Sequence, residues 1–320
     1  MLIFRWRLWI VIVVGVMVSG CDHHNSADQP VTERTKPLVF VANAALEYFA
    51  QSIAGSDAEI WFPVPADTDP AYWEPDQKTL TRIQSARLIL LNDPDYSKWV
   101  ATRSLPARRT IDSIGSIDQL IEMTSIVVHR HGPDGEHAHA GTAVGTWLDP
   151  YLARMQAKAT LEELIRILPD HSDQLRKRWQ SLDLDLQRLS ERLAAIKNQF
   201  PTVRLVASHP VYAYLASWCQ WPTESMHWEP HEHPPQSQWQ ALDELLKKHP
   251  SRVMLWEDTP TAETLKSLSE RNLFVAVFHP LAQRPANGDW LKAMEANMTR
   301  LEAALVSAEK PETAKPTKGE

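Results

Sequence analysis

Two α/β lobes with parallel sheets, joined by one long backbone helix and separated by a cleft, are the fold predicted for this chain of 320 residues. Three observations predict it. Short unbroken apolar runs alternate with helical repeats in each half, as parallel strands covered on both faces require. The pattern stops and restarts around a single long amphipathic segment. Within it Leu175, Trp179, Leu182, Leu186, Leu189, Leu193, Ile196 and Phe200 recur four and three residues apart, so 172–200 reads as one helix with a single apolar stripe. At 1.5 Å per residue it is about 43 Å long, more than one lobe needs. Pro169 precedes it and Pro201 stops it. A coiled-coil dimer seam is the other use of such a stripe.

The N-terminus reads as an address. Arg5 and Arg7 give a positive start, 8–18 (LWIVIVVGVMV) is an apolar core of signal-peptide length, and Val18-Ser19-Gly20-Cys21 follows. That tetrapeptide resembles a bacterial lipobox, which implies cleavage before Cys21 and lipidation of its thiol. Asp22 resembles the signal that keeps such lipoproteins at the inner membrane. The polar stretch 22–36 is then a flexible tether. Cys219 is the remaining thiol; it lies in the apolar run SWCQW and is expected to be buried.

In the N-terminal lobe, 37–170, LVFVA (38–42) is a buried strand, and the helix after it ends at Gly55. EIWFPV is a second strand, 77–86 a helix, and LILLN (88–92) a third strand. Residues 129–139 follow. His129, His131, His137 and His139 stand there beside Asp134 and Glu136, and Gly132, Pro133 and Gly135 argue against regular structure. Imidazoles crowded on a loop suit metal capture, His137 and His139 among them; a solvated spacer is the other reading. Asp149-Pro150 then opens a helix, Asp149 as its cap and Pro150 at its first position.

After the linking helix, 171–200, the C-terminal lobe spans 201–307. It reads VRLVA, a helix from about Val211, a Pro- and His-rich turn, the helix QALDELLKK, strand RVMLW, helix AETLKSLSE, strand LFVAVF and a last helix from Trp290. A disordered tail, 308–320, is expected. The formal charge of −7 provides no basic field, so nucleic acid is not an expected partner.

Candidate chemistry sits at strand ends. VRLVA ends at Ser208-His209, RVMLW at Glu257-Asp258, and LFVAVF at His279-Pro280. A His, a carboxylate and a His at the mouths of parallel strands can converge on one divalent ion. His231 and His233, in the run from His227 to His233, are further candidate ligands.

These motifs have a familiar order. The lipobox, DPAYWEP (69–75), the histidine loop before TWLDP, SHPVYAYL (208–215), WEDTP (256–260) and HPLA (279–282) together resemble the zinc- and manganese-binding solute-binding lipoproteins of bacterial ABC transporters, the cluster A-I type. The resemblance implies a metal cleft between the lobes, with one ligand from each of four places. His209 matches the third ligand, and Glu257 matches a family Glu that is structural or a ligand. The fourth is an Asp in the family and His279 here. Pro70-Ala71 stands where the family has Pro-His, and Gly145 where it has its second His, so the metal site is degenerate in the first lobe. Replacement donors could come from the 129–139 loop, from Asp69 or from the run beginning at His227.

What the resemblance implies is capture of a divalent transition metal outside the cytoplasm for an ABC permease at the inner membrane. Zinc is favoured by imidazole-rich donors, with manganese or another divalent metal less so. The protein is expected to be no enzyme, a monomer, and lipid-anchored on the periplasmic side. A paralogue that has lost metal transport and serves as a binding or interaction protein is the alternative. A zinc-dependent hydrolase with Glu257 as base is a third.

Overall fold

The computed structural model describes residues 35–309 apart from 94, 116, 118, 119 and 131–135; for 122–142 it describes the backbone of the strands alone. The signal segment, Cys21, nearly all of the tether and the tail from 310 lie outside the described residues.

Two four-stranded parallel sheets form the lobes. The first has order β2 (Glu59–Trp61), β1 (Leu38–Val41), β3 (Leu88–Leu91), β4 (Thr110–Asp112). Its outer face carries α2 (Gln77–Ser85), and Phe40 and Ile89 bury there with Leu80, Ile83 and Trp99. The alternate positions Val39, Val41, Leu88 and Leu90 face the other way, onto α1 (Ala44–Ala54) and α3 (Pro150–Ile167). The second sheet has order β10 (Phe274–Val277), β9 (Val253–Trp256), β7 (Leu205–Ala207), β8 (Thr223–Ser225). Val206, Met254 and Trp256 bury against α6 (Gln236–Lys248) and α7 (Ala262–Ser269) on its outer face. A short helix, α5 (Ala213–Cys219), follows β7, and α8 (Trp290–Glu309) closes the chain. Residues 308 and 309, expected to open the tail, belong to α8.

The apolar stripe decides the position of α4 (Ser172–Gln199). Leu175, Leu182, Leu186, Leu189, Leu193 and Ile196 are all buried, in the same core cluster as Val39 of one sheet and Leu255 of the other. The stripe is thus consumed within the chain, along α1, α3 and α8. Asp149 caps α3 as expected, and Asn43, Asp76 and Thr261 likewise accept from the free N–H groups of α1, α2 and α7. Cys219 is buried, as expected, and burial pushes its thiol up to about 12.

One expectation fails. The histidine segment is not irregular on either side of its glycines and proline: β5 (Glu122–Arg130) and β6 (Glu136–Thr142) pair antiparallel, with His129 opposite His137 and Val127 opposite His139. The β-branched run Ile126-Val127-Val128 favours a strand, and Gly132, Pro133 and Gly135 lie outside the described residues.

Candidate functional site

The carboxyl ends of β7, β9 and β10 deliver His209, Glu257 and His279 to one edge of the second lobe, since β9 lies between the other two. The ladder continues past the strands. Ser208 N donates to Leu255 O at 2.8 Å and Phe278 N to Trp256 O at 2.8 Å. On the far side of β7, Met226 N donates to Ala207 O at 2.8 Å and Trp228 N to Ser208 O at 2.9 Å. Residues 226–228 therefore run on beside the β7 end. Trp228 is buried on the outer face, with its ring 4.7 Å from Trp239 and 5.8 Å from Trp256. Alternation then turns His227 to the other side, where its ring lies 5.9 Å from that of His209.

His209 is the most buried of these groups, 2% exposed, and its Nδ1 lies 2.9 Å from Glu257 Oε1. That contact fixes the ring, with Nδ1–H donating to the carboxylate, and makes Nε2 the nitrogen suited to an ion. Burial alone would lower the His209 pKa. The hydrogen bond and charge of Glu257, with the charges of Glu229 and Asp69, outweigh burial and leave it raised. His227 moves the opposite way, lowered first by burial and then by His209. Asp69 is thus the first-lobe carboxylate whose charge reaches His209 across the cleft. It is exposed, and its Oδ1 accepts from Ala71 N at 2.9 Å.

His279 does not join this group. Its backbone is clamped by Asn297 of α8, which accepts from His279 N at 3.0 Å and donates to His279 O at 2.8 Å. Its Nδ1 faces Asp258 Oδ1 at 3.9 Å. Burial, then the charge of Arg300, lower its pKa against Asp258 and the Glu257 carbonyl. His231 also faces Asp258, Nε2 to Oδ2 at 3.6 Å, while His233 bonds Thr264 at the start of α7 and lies 3.7 Å from Glu263. Among the described residues no set of three or more His, Cys, Asp and Glu is close enough to hold one ion. The expected convergence of His209, Glu257 and His279 is therefore not formed among the described residues: His209 pairs with Glu257, while the His279 ring faces Asp258. His137 and His139 have backbone positions on β6, but their side chains lie outside the described residues.

Of the two first-lobe positions without a ligand, one is buried and the other is closed to any side chain. Ala71 is 5% exposed within the core. Gly145 has φ +88°, and a Cβ there would stand 2.9 Å from the Val211 carbonyl oxygen of the second lobe. The lobes also meet through Trp147 Nε1 to Pro280 O at 2.7 Å, Ala44 N to Ala282 O at 2.8 Å, and Arg284 to Glu47 and Phe62 O.

The sequence reading ranked His231 and His233 above His227. The signal for His227 was present: Met226-His227-Trp228 alternates apolar, polar, apolar just after β8.

Comparison with known proteins gives these arrangements a context. Residues 39–304 match the family described as ZnuA, zinc-uptake complex component A, periplasmic. The zinc-binding protein AdcA of Streptococcus pyogenes is 21% identical over 273 residues, covering 79% of this chain and 53% of its own length. The zinc-binding lipoprotein AdcA of Streptococcus pneumoniae is 24% identical over 287 residues, covering 84% of this chain and 56% of its own length. The chain thus spans about half the length of these curated relatives. The crystal structure of the metal-dependent lipoprotein YcdH from Bacillus subtilis superposes with a TM-score of 0.71 at 18% identity, over 84% of this chain and 99% of that one. At that identity the superposition establishes the fold.

Proposed function

The chain belongs to the ZnuA family of periplasmic zinc-uptake components, and from that premise we propose that it captures a divalent transition metal outside the cytoplasm and passes it to an ABC permease. Zinc is the metal favoured, since relatives named for zinc binding share the fold and the donors here are imidazoles and carboxylates. The observation that carries the reading is His209: a nearly buried imidazole, oriented by Glu257, with His227 beside it and the charges of Glu229 and Asp69 upon it. His209 and His227 are the nitrogen donors, Asp69 or Glu229 supplies a carboxylate, and Glu257 orients His209. The cargo would draw these groups together, because they are not yet within one ion's reach.

The address completes the proposal. Lipidation at Cys21 would anchor a monomer on the periplasmic side of the inner membrane, with 22–36 as tether, the lobes 37–170 and 201–307, and 171–200 linking them. Cys21→Ser should leave the precursor unprocessed and unacylated; an acylated mature product from that variant would refute the anchor.

A second reading has its own observation. Gly145 is closed to a side chain rather than merely unliganded, which favours a paralogue that has abandoned the family site and binds something else. Zinc titration of the chain beginning after Cys21, in competition with a chelating indicator, separates the two. Capture predicts one tight equivalent that is lost with His209→Ala; the paralogue predicts none.

A further inference from the structure

One side chain of the second lobe reaches the turn that carries Asp69. Between β10 and α8 the chain crosses to the first lobe, and Gln283 on that crossing directs its amide nitrogen at the backbone just before Asp69. Its Nε2 donates to Pro65 O at 2.6 Å and to Thr68 O. Its Oε1 accepts from Arg284 N at 3.3 Å, so both ends of the amide are assigned and the nitrogen faces the turn. The turn needs such a donor. Pro63, Pro65, Pro70 and Pro75 leave 62–75 short of N–H groups, and its carbonyls find partners elsewhere. We propose that Gln283 is a positioning residue of the cleft: it fixes this turn from the second lobe and so sets where the Asp69 carboxylate stands before an incoming cation. The nature of the cargo rests on the metal-capture reading; the hold of Gln283 on the turn does not.

The grip passes to Asp69 in short steps. Thr68 N donates to Pro65 O at 3.1 Å, closing a turn over 65–68 immediately before Asp69. Asp69 then organises the residues after it. Its Oδ1 accepts from Ala71 N at 2.9 Å, and its carbonyl accepts from Tyr72 N at 3.1 Å and Trp73 N at 2.9 Å. Held in this way, the carboxylate contributes one of the charges felt by His209 opposite.

The crossing is anchored on either side of Gln283. Pro280 O accepts from Trp147 Nε1 and Ala282 O from Ala44 N. Arg284 grips Glu47 and Phe62 O, with its guanidinium carbon 5.0 Å from the centre of the Phe62 ring. Leu281 is buried at φ +57°, a left-handed conformation that a leucine rarely adopts. The crossing therefore keeps its path through its partners rather than by local preference. Gln283 is presented from this anchored backbone, and removing its amide frees the turn while leaving the crossing in place.

The test pairs amide hydrogen exchange with zinc titration, on the full chain and on Gln283→Ala, Gln283→Glu, Asp69→Asn and the combined Gln283→Ala, Asp69→Asn protein. Glutamate matches glutamine in shape but turns a carboxylate towards two carbonyl oxygens. Both Gln283 variants should therefore speed exchange at Ala71, Tyr72 and Trp73 by about tenfold or more. Asp69→Asn keeps an acceptor for Ala71 N and loses the charge. Zinc affinity should fall about threefold in Gln283→Ala, the scale of an exposed charge, and by less at high salt. A similar fall is expected in Asp69→Asn, with no further fall in the combined protein. Unchanged exchange in either Gln283 variant would overturn the proposal. So would zinc affinity unchanged in Gln283→Ala, or lowered as far by that substitution in the Asp69→Asn background as in the parent. A parent that takes no zinc would refute the metal-capture reading instead, and the exchange rates would still decide whether Gln283 holds Asp69 in place.

Discussion

Restoring the family's second ligand by Gly145→His should fail, and Gly145→Ala shows why. Gly145 sits at φ +88°, where a side chain is strained whatever the space around it, and its Cβ would come within 2.9 Å of the Val211 carbonyl oxygen, a backbone atom. The left-handed conformation alone costs a non-glycine residue about 1–2 kcal/mol. The contact adds to this, because Val211 follows Pro210 directly and neighbouring Tyr212 is buried with its hydroxyl on Phe278 O at 2.7 Å. Together the loss should be about 2–3 kcal/mol. In a body of this size that lowers Tm by about 5 °C. Urea unfolding of Gly145→Ala measures the loss, and zinc competition on Gly145→His measures any gain. A Gly145→His protein as stable as the parent that binds zinc tenfold more tightly would refute the claim that the position is closed.

Other perturbations follow from the same geometry. Leu193→Ala, at a fully buried point of the α4 stripe, should cost about 2–5 kcal/mol in chemical unfolding without changing the mass in sedimentation; a dimer that dissociates on this substitution would restore the coiled-coil seam. Asp149 caps α3, yet burial, outweighing its bonds from the Leu152 and Tyr151 amides, raises its pKa to about 6. Its folded pKa thus lies above its unfolded one, so protonation favours the fold below about 4 and that contribution is lost as pH rises through about 6. Asp149→Asn keeps an acceptor without the charge, so its stability relative to the parent should rise by up to about 2 kcal/mol between pH 4 and 7, measured by unfolding at each pH. His209, also raised, holds its proton to a higher pH than an ordinary histidine. The proton's contribution to stability is present at acid pH and lost as pH rises past that raised value, whereas zinc needs the deprotonated ring. Zinc affinity should therefore begin to fall above pH 6.5 on acidification, and Glu257→Gln should move the His209 titration downward by NMR.

The long helix was legible because its spacing of fours and threes is unbroken, and the core strands because they are continuously apolar. β4, with sequence TID, and β8, with TES, were not legible: edge strands bury little, and nothing in three partly polar residues separates them from a turn. Reading candidate residues at strand ends put His209 and Glu257 on neighbouring strands, and the structure has them 2.9 Å apart. The rest of the grouping was not legible, because it depends on tertiary detail. Asn297, eighteen residues beyond His279, holds that histidine's backbone, and its ring faces Asp258, a contact that no local pattern marks. The closure at Gly145 was equally hidden, since a positive φ and the approach of Val211 leave no mark beyond the glycine itself.

The central claim is that zinc is held in the cleft by His209 and His227 rather than by the family's usual first-lobe histidines. Zinc affinity of the chain beginning after Cys21, measured side by side for the parent, His209→Ala and His227→Ala, tests it most directly. The account predicts one tight equivalent in the parent, weakened by more than about tenfold, or about 1.4 kcal/mol, in each variant. Zinc binding equal to the parent's in both variants would contradict it.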